Sequence, residues 1–181
     1  MSDFEIIVIA IGLAMDAFAV SLGVAASRGN MSFRPTFRLS FHFGLFQSFM
    51  PVIGWFIGYE IVDYLKLNSW IAFGLLLFVG TRMINSGLKD EPIEKRRDLT
   101  KGMSLVILSI ATSIDALAIG FSLAMLKLDI WYPSVIIGVI TAMLSLLAIY
   151  LGKKLNTRFG NRMEIIGGMI LLIIGFKIMF F

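Results

Sequence analysis

The sequence predicts an all-α membrane protein of six transmembrane helices, built as two three-helix repeats of inverted topology. Three observations predict it. Apolar runs of about 20 residues recur along a chain of 181 residues that is 58% hydrophobic and 15% charged, and each is long enough to cross a hydrocarbon core. Basic residues crowd into alternate loops. Finally, two aspartates, Asp16 and Asp115, sit mid-run in matching surroundings, Leu-Ala-Met-Asp-Ala-Phe-Ala and Thr-Ser-Ile-Asp-Ala-Leu-Ala.

The expected spans are 4–27, 38–59, 69–87, 103–126, 131–152 and 163–181. The first lacks a basic n-region and a clear cleavage site and carries Asp16, which argues against a removable signal peptide. Arg28, Arg34 and Arg38 follow the first span, Lys89, Lys95, Arg96, Arg97 and Lys101 follow the third, and Lys153, Lys154, Arg158 and Arg162 follow the fifth. The other two loops carry Lys66 and Lys127 alone, and the N-terminal tail has Asp3 and Glu5. The rich loops are therefore expected in the cytoplasm and both termini outside. The expected units are a first repeat, 1–87, a charged cytoplasmic linker, 88–102, and a second repeat, 103–181.

The halves match helix by helix. Asp16-Ala17 aligns with Asp115-Ala116 at an offset of 99; Gly44, Gln47 and Gly58 align with Gly138, Thr141 and Gly152 at 94. The segment ending Gly80-Thr-Arg82 aligns with that ending Gly175-Phe-Lys177 at 95. Three spans per repeat make the second enter the membrane the opposite way round, a common transporter plan with its site at the midplane. Each aspartate lies about 12 residues into its span, within several ångströms of the bilayer centre at ~1.5 Å per residue. A pseudo-twofold axis in the membrane plane brings both carboxylates to one place. Gly12, Ala19 and Gly23 flank Asp16 as Ala111, Ala118 and Ser122 flank Asp115, small faces that admit close helix packing.

A carboxylate at bilayer depth costs about 2.5–3.5 kcal/mol on insertion scales, so it marks a functional site by default. Two of them together in low dielectric either share protons or hold a cation. Oxygen donors lie nearby: Gln47 and Ser48 on the second span, Thr112 and Ser113 on the fourth, Thr141 on the fifth. An all-oxygen set with two carboxylates suits a hard or borderline divalent ion such as Mn2+, Mg2+ or Ca2+. We take Asp16, Asp115, Gln47 and Thr112 as candidate metal ligands, with Ser48, Ser113 and Thr141 in support. Hydroxyls in membrane helices usually bond their own backbone, which is the competing role for the Ser and Thr residues. Arg82 and Lys177, near matching helix ends, either snorkel to the interface or act as counter-charges to the empty site. His42 reads as an interfacial residue near the cytoplasmic mouth, and Glu164 as a helix-start acid complementing the macrodipole.

The composition excludes several chemistries. There is no cysteine and one histidine, hence no disulfide, thiolate site or multi-histidine zinc motif. The net charge of +4 is confined to loops as topology requires and does not suggest nucleic acid. Nothing resembles a P-loop, so ATP is not expected to drive the protein directly, and no cofactor is expected.

The segments Met-Asp16-Ala-Phe-Ala-Val-Ser, Pro51-Val-Ile-Gly-Trp55, Ser-Trp70-Ile-Ala-Phe, Gly80-Thr-Arg82-Met-Ile, Ile-Asp115-Ala-Leu-Ala and Glu164-Ile-Ile-Gly-Gly resemble the bacterial MntP manganese efflux pumps, in order and along essentially the whole chain. The resemblance implies a six-helix exporter of Mn2+ in the bacterial inner membrane, within the LysE-like group, with the metal as substrate and the acids of the first and fourth helices at Asp16 and Asp115. The family position matching Gln47 can be a glutamate, so this chain has one fewer potential charge there. Protons are the expected counter-ion.

Other readings make different predictions. An exporter of another divalent metal or of an amino acid would share the fold, but amino-acid export predicts no metal sensitivity in a deletion strain. An intramembrane aspartyl protease, the enzyme alternative, also needs two membrane aspartates, yet neither Asp16 nor Asp115 is preceded by the Gly-x-Gly of such proteases. A structural scaffold would tolerate loss of both acids.

Overall fold

The computed structural model describes residues 2–28, 31–61, 70, 73–74, 77–78, 81, 84–85, 88, 100–152, 165–166, 169, 172–173 and 176. Four long helices stand out among them: α1 (Asp3–Arg28), α2 (Phe33–Ile61), α3 (Gly102–Met125) and α4 (Trp131–Gly152). All four are long and apolar enough to cross a membrane, and no strand occurs among the described residues. The scattered described residues within 70–88 and 165–176 are helical too. Most of the expected third and sixth spans, Arg82, Glu164, Lys177 and nearly all of the 88–102 linker lie outside the described residues.

Local chemistry sets the helix ends. Ser2 and Glu5 form a capping box: the Ser2 backbone N–H donates to Glu5 Oε2 (2.8 Å) and the Glu5 N–H to Ser2 Oγ (3.3 Å), which satisfies donors that a helix start would leave orphaned. The second helix begins five residues before its expected start at 38. Arg34 and Pro35 interrupt the apolar pattern there, but proline is tolerated in a first turn, where its missing N–H has no partner to lose. Phe33, Phe37 and Phe41 stack along this extension at 6.1 and 5.5 Å. The helix runs on through Pro51.

A Schellman turn ends α3. Lys127 adopts φ 55°, its N–H reaches Ala124 O (2.9 Å), and the Leu128 N–H reaches Leu123 O (3.0 Å). Trp55 Nε1 donates to Leu128 O at 2.7 Å, tying α2 to this reversal. Four residues after Lys127, α4 begins.

Packing joins the two halves of the chain. Among these four helices, α1 lies against α4, and α2 lies against both α3 and α4, while α1 barely meets α2 or α3. Glycines make close approaches, and two pairs of them, Gly44 with Gly138 and Gly58 with Gly152, stand 94 residues apart. A Cβ on Gly44 would lie 2.8 Å from Ala142 Cβ and from Gly138 O; one on Gly138 would strike Ser48 Oγ and come within 2.7 Å of Gly44 O. A Cβ on Gly58 would lie 2.7 Å from Ala124 Cβ, and one on Gly152 2.8 Å from Ala25 Cβ and 2.6 Å from Leu22 O. Ala25 is offset by 99 from Ala124, and Leu22 by 99 from Phe121, the carbonyl nearest Gly58. Around these crossings Ile9, Leu13, Ile119, Leu123 and Ile137 form the largest buried cluster.

Candidate metal centre

Asp16 and Asp115 are both buried, at 8% and 5% exposure. Their helices, α1 and α3, touch little, and Gln47 of α2 bridges them. Its amide nitrogen donates to Leu13 O at 3.4 Å and to Thr112 O at 3.1 Å. Leu13 stands three residues before Asp16, and Thr112 three before Asp115. One side chain thus binds equivalent turns of both aspartate helices.

This bridge fixes the orientation of the amide. Two backbone carbonyls are its neighbours, and only the NH2 group can donate to them; the reverse orientation would set oxygen against oxygen. Both N–H groups are therefore used, and Oε1 is left fully buried without a hydrogen-bond partner. A buried acceptor in this position calls for a donor or a cation.

The hydroxyls divide into two sets. Thr112 Oγ1 turns back on its own helix, donating between Leu108 O and Ser109 O (3.1 Å each), as Ser109 does to Leu105 O (2.8 Å) and Ser122 to Ala118 O (2.9 Å). Ser113 Oγ and Thr141 Oγ1 are fully buried yet have no partner. Thr141 stands 94 residues after Gln47, and each of the two carries one buried, unpartnered oxygen. Asp16 Oδ1 accepts from the Ala17 backbone N–H at 2.6 Å.

The remaining expected residues fall elsewhere. Ser48 is half-buried and fills the space over Gly138. His42 hydrogen-bonds through Nδ1 to Arg38 O (2.8 Å), a turn and more before Gln47. Among the described residues no three His, Cys, Asp or Glu side chains gather into a metal-binding group, so any ion here would rely on two carboxylates supplemented by neutral oxygens. Sequence reading missed the anchoring carbonyls of Leu13 and Thr112, although the 99-residue offset relates them. It also missed Ser21 and Ser145, whose hydroxyls are buried and unpartnered.

Gln47→Leu keeps the volume and removes the bridge. A loss of about 1–2 kcal/mol is expected, read as a lower thermal unfolding midpoint of the purified protein in detergent. An unchanged midpoint would mean that the two long-range bonds contribute nothing.

Residues 30–179 match the family model described as "Putative manganese efflux pump". Curated relatives named "Putative manganese efflux pump MntP" match along nearly the whole chain. The protein of Syntrophotalea carbinolica is 47% identical over 173 residues, covering 94% of this chain and 92% of its own. That of Nitratidesulfovibrio vulgaris (strain DP4) is 42% identical over 184 residues, covering 99% and 92%. That of Syntrophobacter fumaroxidans is 44% identical over 184 residues, covering all of both chains. No solved structure matches. With a family model spanning most of its length and relatives of this identity end to end, the chain belongs to the MntP family.

Proposed function

We propose that this protein exports Mn2+ across the bacterial inner membrane by alternating access, with the ion held between Asp16 and Asp115. The Gln47 amide carries the reading: it joins the matching turns of the two aspartate helices and leaves a buried acceptor oxygen there. Gln47 Oε1, Thr141 Oγ1 and Ser113 Oγ then supplement the carboxylates, and Thr112 Oγ1 keeps lone pairs for the same purpose. An oxygen-only set of this kind suits Mn2+ and gives no soft ligand for Cu(I). The names of the relatives support the choice of metal.

The matched glycine contacts support an inverted repeat, 1–87 against 103–181 across the linker 88–102, with six spans and both termini outside. In this arrangement α1 and α4 run inward, α2 and α3 outward, and the repeats rock about the aspartates. Arg82 and Lys177 are then matched cations near helix ends, placed to snorkel or to balance the empty site.

Energy has to be supplied. Moving a divalent ion outward against 100 mV costs about 4.6 kcal/mol. Two protons entering for each Mn2+ leaving make the exchange electroneutral, and the two carboxylates are the groups that take them up. In proteoliposomes, Mn2+ movement is therefore expected to accelerate steeply with an opposing pH gradient and to slow when a protonophore dissipates it. Gradient-independent Mn2+ movement would eliminate the proton coupling. If Mn2+ does not move while another divalent ion does, the choice of metal is wrong.

A further inference from the structure

The start of α2 carries two ridges side by side. Phe33, Phe37 and Phe41 recur every fourth residue and are 80%, 52% and 48% exposed. Their rings stack nearly parallel, at interplanar angles of 20° and 14°, a flat apolar strip about 12 Å long. One residue on, at the same spacing, stand Arg34 and Arg38. Arg34 is exposed; Arg38 is half-buried, with its Nε enclosed and lacking a hydrogen-bond partner. No acid occurs between Asp16 and Glu60, so neither arginine has a carboxylate within reach along its own helix. A cation enclosed in this way without a counter-charge is unfavourable unless an anion comes to it.

Depth says what that anion belongs to. Taking Gln47 at the bilayer centre with the aspartate turns it bridges, Phe37 stands ten residues before it and Phe33 fourteen, about 15 and 21 Å along the axis. The hydrocarbon half-thickness is about 15 Å. Phe41 thus lies among acyl chains, Phe37 at their edge and Arg34 among headgroups. Helix side chains lean toward the N-terminus, which carries the Arg38 guanidinium outward to the phosphate level. A bare phenylalanine at the depth of Phe41 is ordinary lipid contact; the cations beside it are not. At an offset of 94, Phe37 and Arg38 correspond to Trp131 and Tyr132 at the start of α4, both also exposed. That end, in the opposite leaflet, keeps the aromatic rings and drops the charge. Interfacial anchoring is met by neutral aromatics, so the arginines of α2 call for a further reason.

We propose that the start of α2 binds an anionic phospholipid of the cytoplasmic leaflet, its phosphate held by Arg34 and Arg38 and one acyl chain lying along Phe37, Phe41 and Leu45. The guanidinium fork matches two phosphate oxygens. The acyl chains of a phospholipid lie on the membrane side of its phosphate, and the exposed strip continues on that side, through Leu45 and Phe49. A zwitterionic lipid offers the same phosphate but brings a cation of its own, which the two arginines repel, so the site selects headgroups of net negative charge. The proposal takes from the export reading only the membrane placement of α2 and the cytoplasmic side of its start; no ion movement enters it.

The test places a fluorophore in the ridge. The Phe37→Trp protein is reconstituted in phosphatidylcholine bilayers with increasing brominated phosphatidylglycerol or brominated phosphatidylcholine. Quenching of its emission is read after subtracting wild type, whose Trp55, Trp70 and Trp131 give the background. The expected result is phosphatidylglycerol favoured over phosphatidylcholine by at least about fivefold, a preference that disappears when Arg34→Gln and Arg38→Gln are added. Equal quenching by the two lipids would overturn the proposal, and so would a preference that survives the arginine substitutions. If that variant does not fold, Arg34→Gln alone serves, because Arg34 is exposed: the preference should fall by about twofold or more, and an unchanged one counts against the site. One arm adds millimolar inorganic phosphate, with chloride at equal ionic strength as its control. Loss of the preference to phosphate alone would assign the arginines to a soluble anion and overturn the lipid. Mn2+ efflux is followed in the same vesicles; its absence beside an intact lipid preference strikes the export reading and leaves the lipid site standing.

Discussion

Asp115→Asn is expected to lower Mn2+ efflux by at least about a hundredfold while leaving the protein inserted and folded. Asparagine matches aspartate in size and is cheaper to place at bilayer depth, so the folded protein survives the change. The ion does not. In the proposed centre the two buried carboxylates would neutralise a divalent cation; with one removed, a net positive charge would remain in low dielectric. At an effective dielectric of 20, a unit pair 4 Å apart interacts by about 4 kcal/mol, so losing even most of that exceeds a hundredfold in rate. Asp16→Asn should behave alike, because Gln47 holds the equivalent turn on each helix. The measurement is total cellular manganese during manganese challenge, in a deletion strain complemented by wild type or by either variant. If Asp115→Asn lowers cellular manganese as wild type does, Asp115 is structural and the centre lies elsewhere.

Gly120→Val carries the largest expected effect on stability. A Cβ at Gly120 meets the Pro51 carbonyl, and backbone cannot yield as a side-chain tip can. Membrane helices gain little from expelling water and depend on close packing of small residues, so separating α2 from α3 removes much of what holds them together. A loss of about 3 kcal/mol or more is expected, seen as a collapse in the yield of monodisperse protein and a sharply lower thermal midpoint. Gly74→Ala is the control: a Cβ there meets nothing within 4 Å, and exchanging helical glycine for alanine is worth roughly 0.5–1 kcal/mol in favour of the helix. Equal tolerance of both changes would show that the α2–α3 crossing does not limit stability.

Hydrophobic runs are easily read in a sequence, because a membrane leaves few alternatives to a helix. The bounds of α1, α3 and α4 follow from them within a residue. The start of α2 does not, since Arg34 and Pro35 look like the end of a run, whereas a first turn accepts both. The aspartates were also legible, being charges in apolar surroundings. What was not legible is how their helices are joined. Gln47 finds backbone carbonyls, at Leu13 and Thr112, and a carbonyl has no letter of its own. The division of the hydroxyls was hidden for a similar reason: Thr112 and Ser113 are neighbours of similar chemistry, and only the side-chain rotamer each adopts when packed separates one that bonds its own backbone from one that does not.

The interleaved packing of α1 on α4 and α2 on α3 and α4 also governs how the protein is made. When α1 and α2 leave the ribosome, α3 and α4 have not been synthesised, and among the described residues α1 and α2 have little surface in common. Until they emerge, α1 and α2 wait without these partners, and the Gln47 amide still lacks Thr112 as its acceptor. The contacts of α1 with α4 and of α2 with α3 and α4 wait for residues beyond 100, so they are distant in sequence and slow to form. Interrupted synthesis would leave a first half lacking these partners, a natural substrate for membrane quality control.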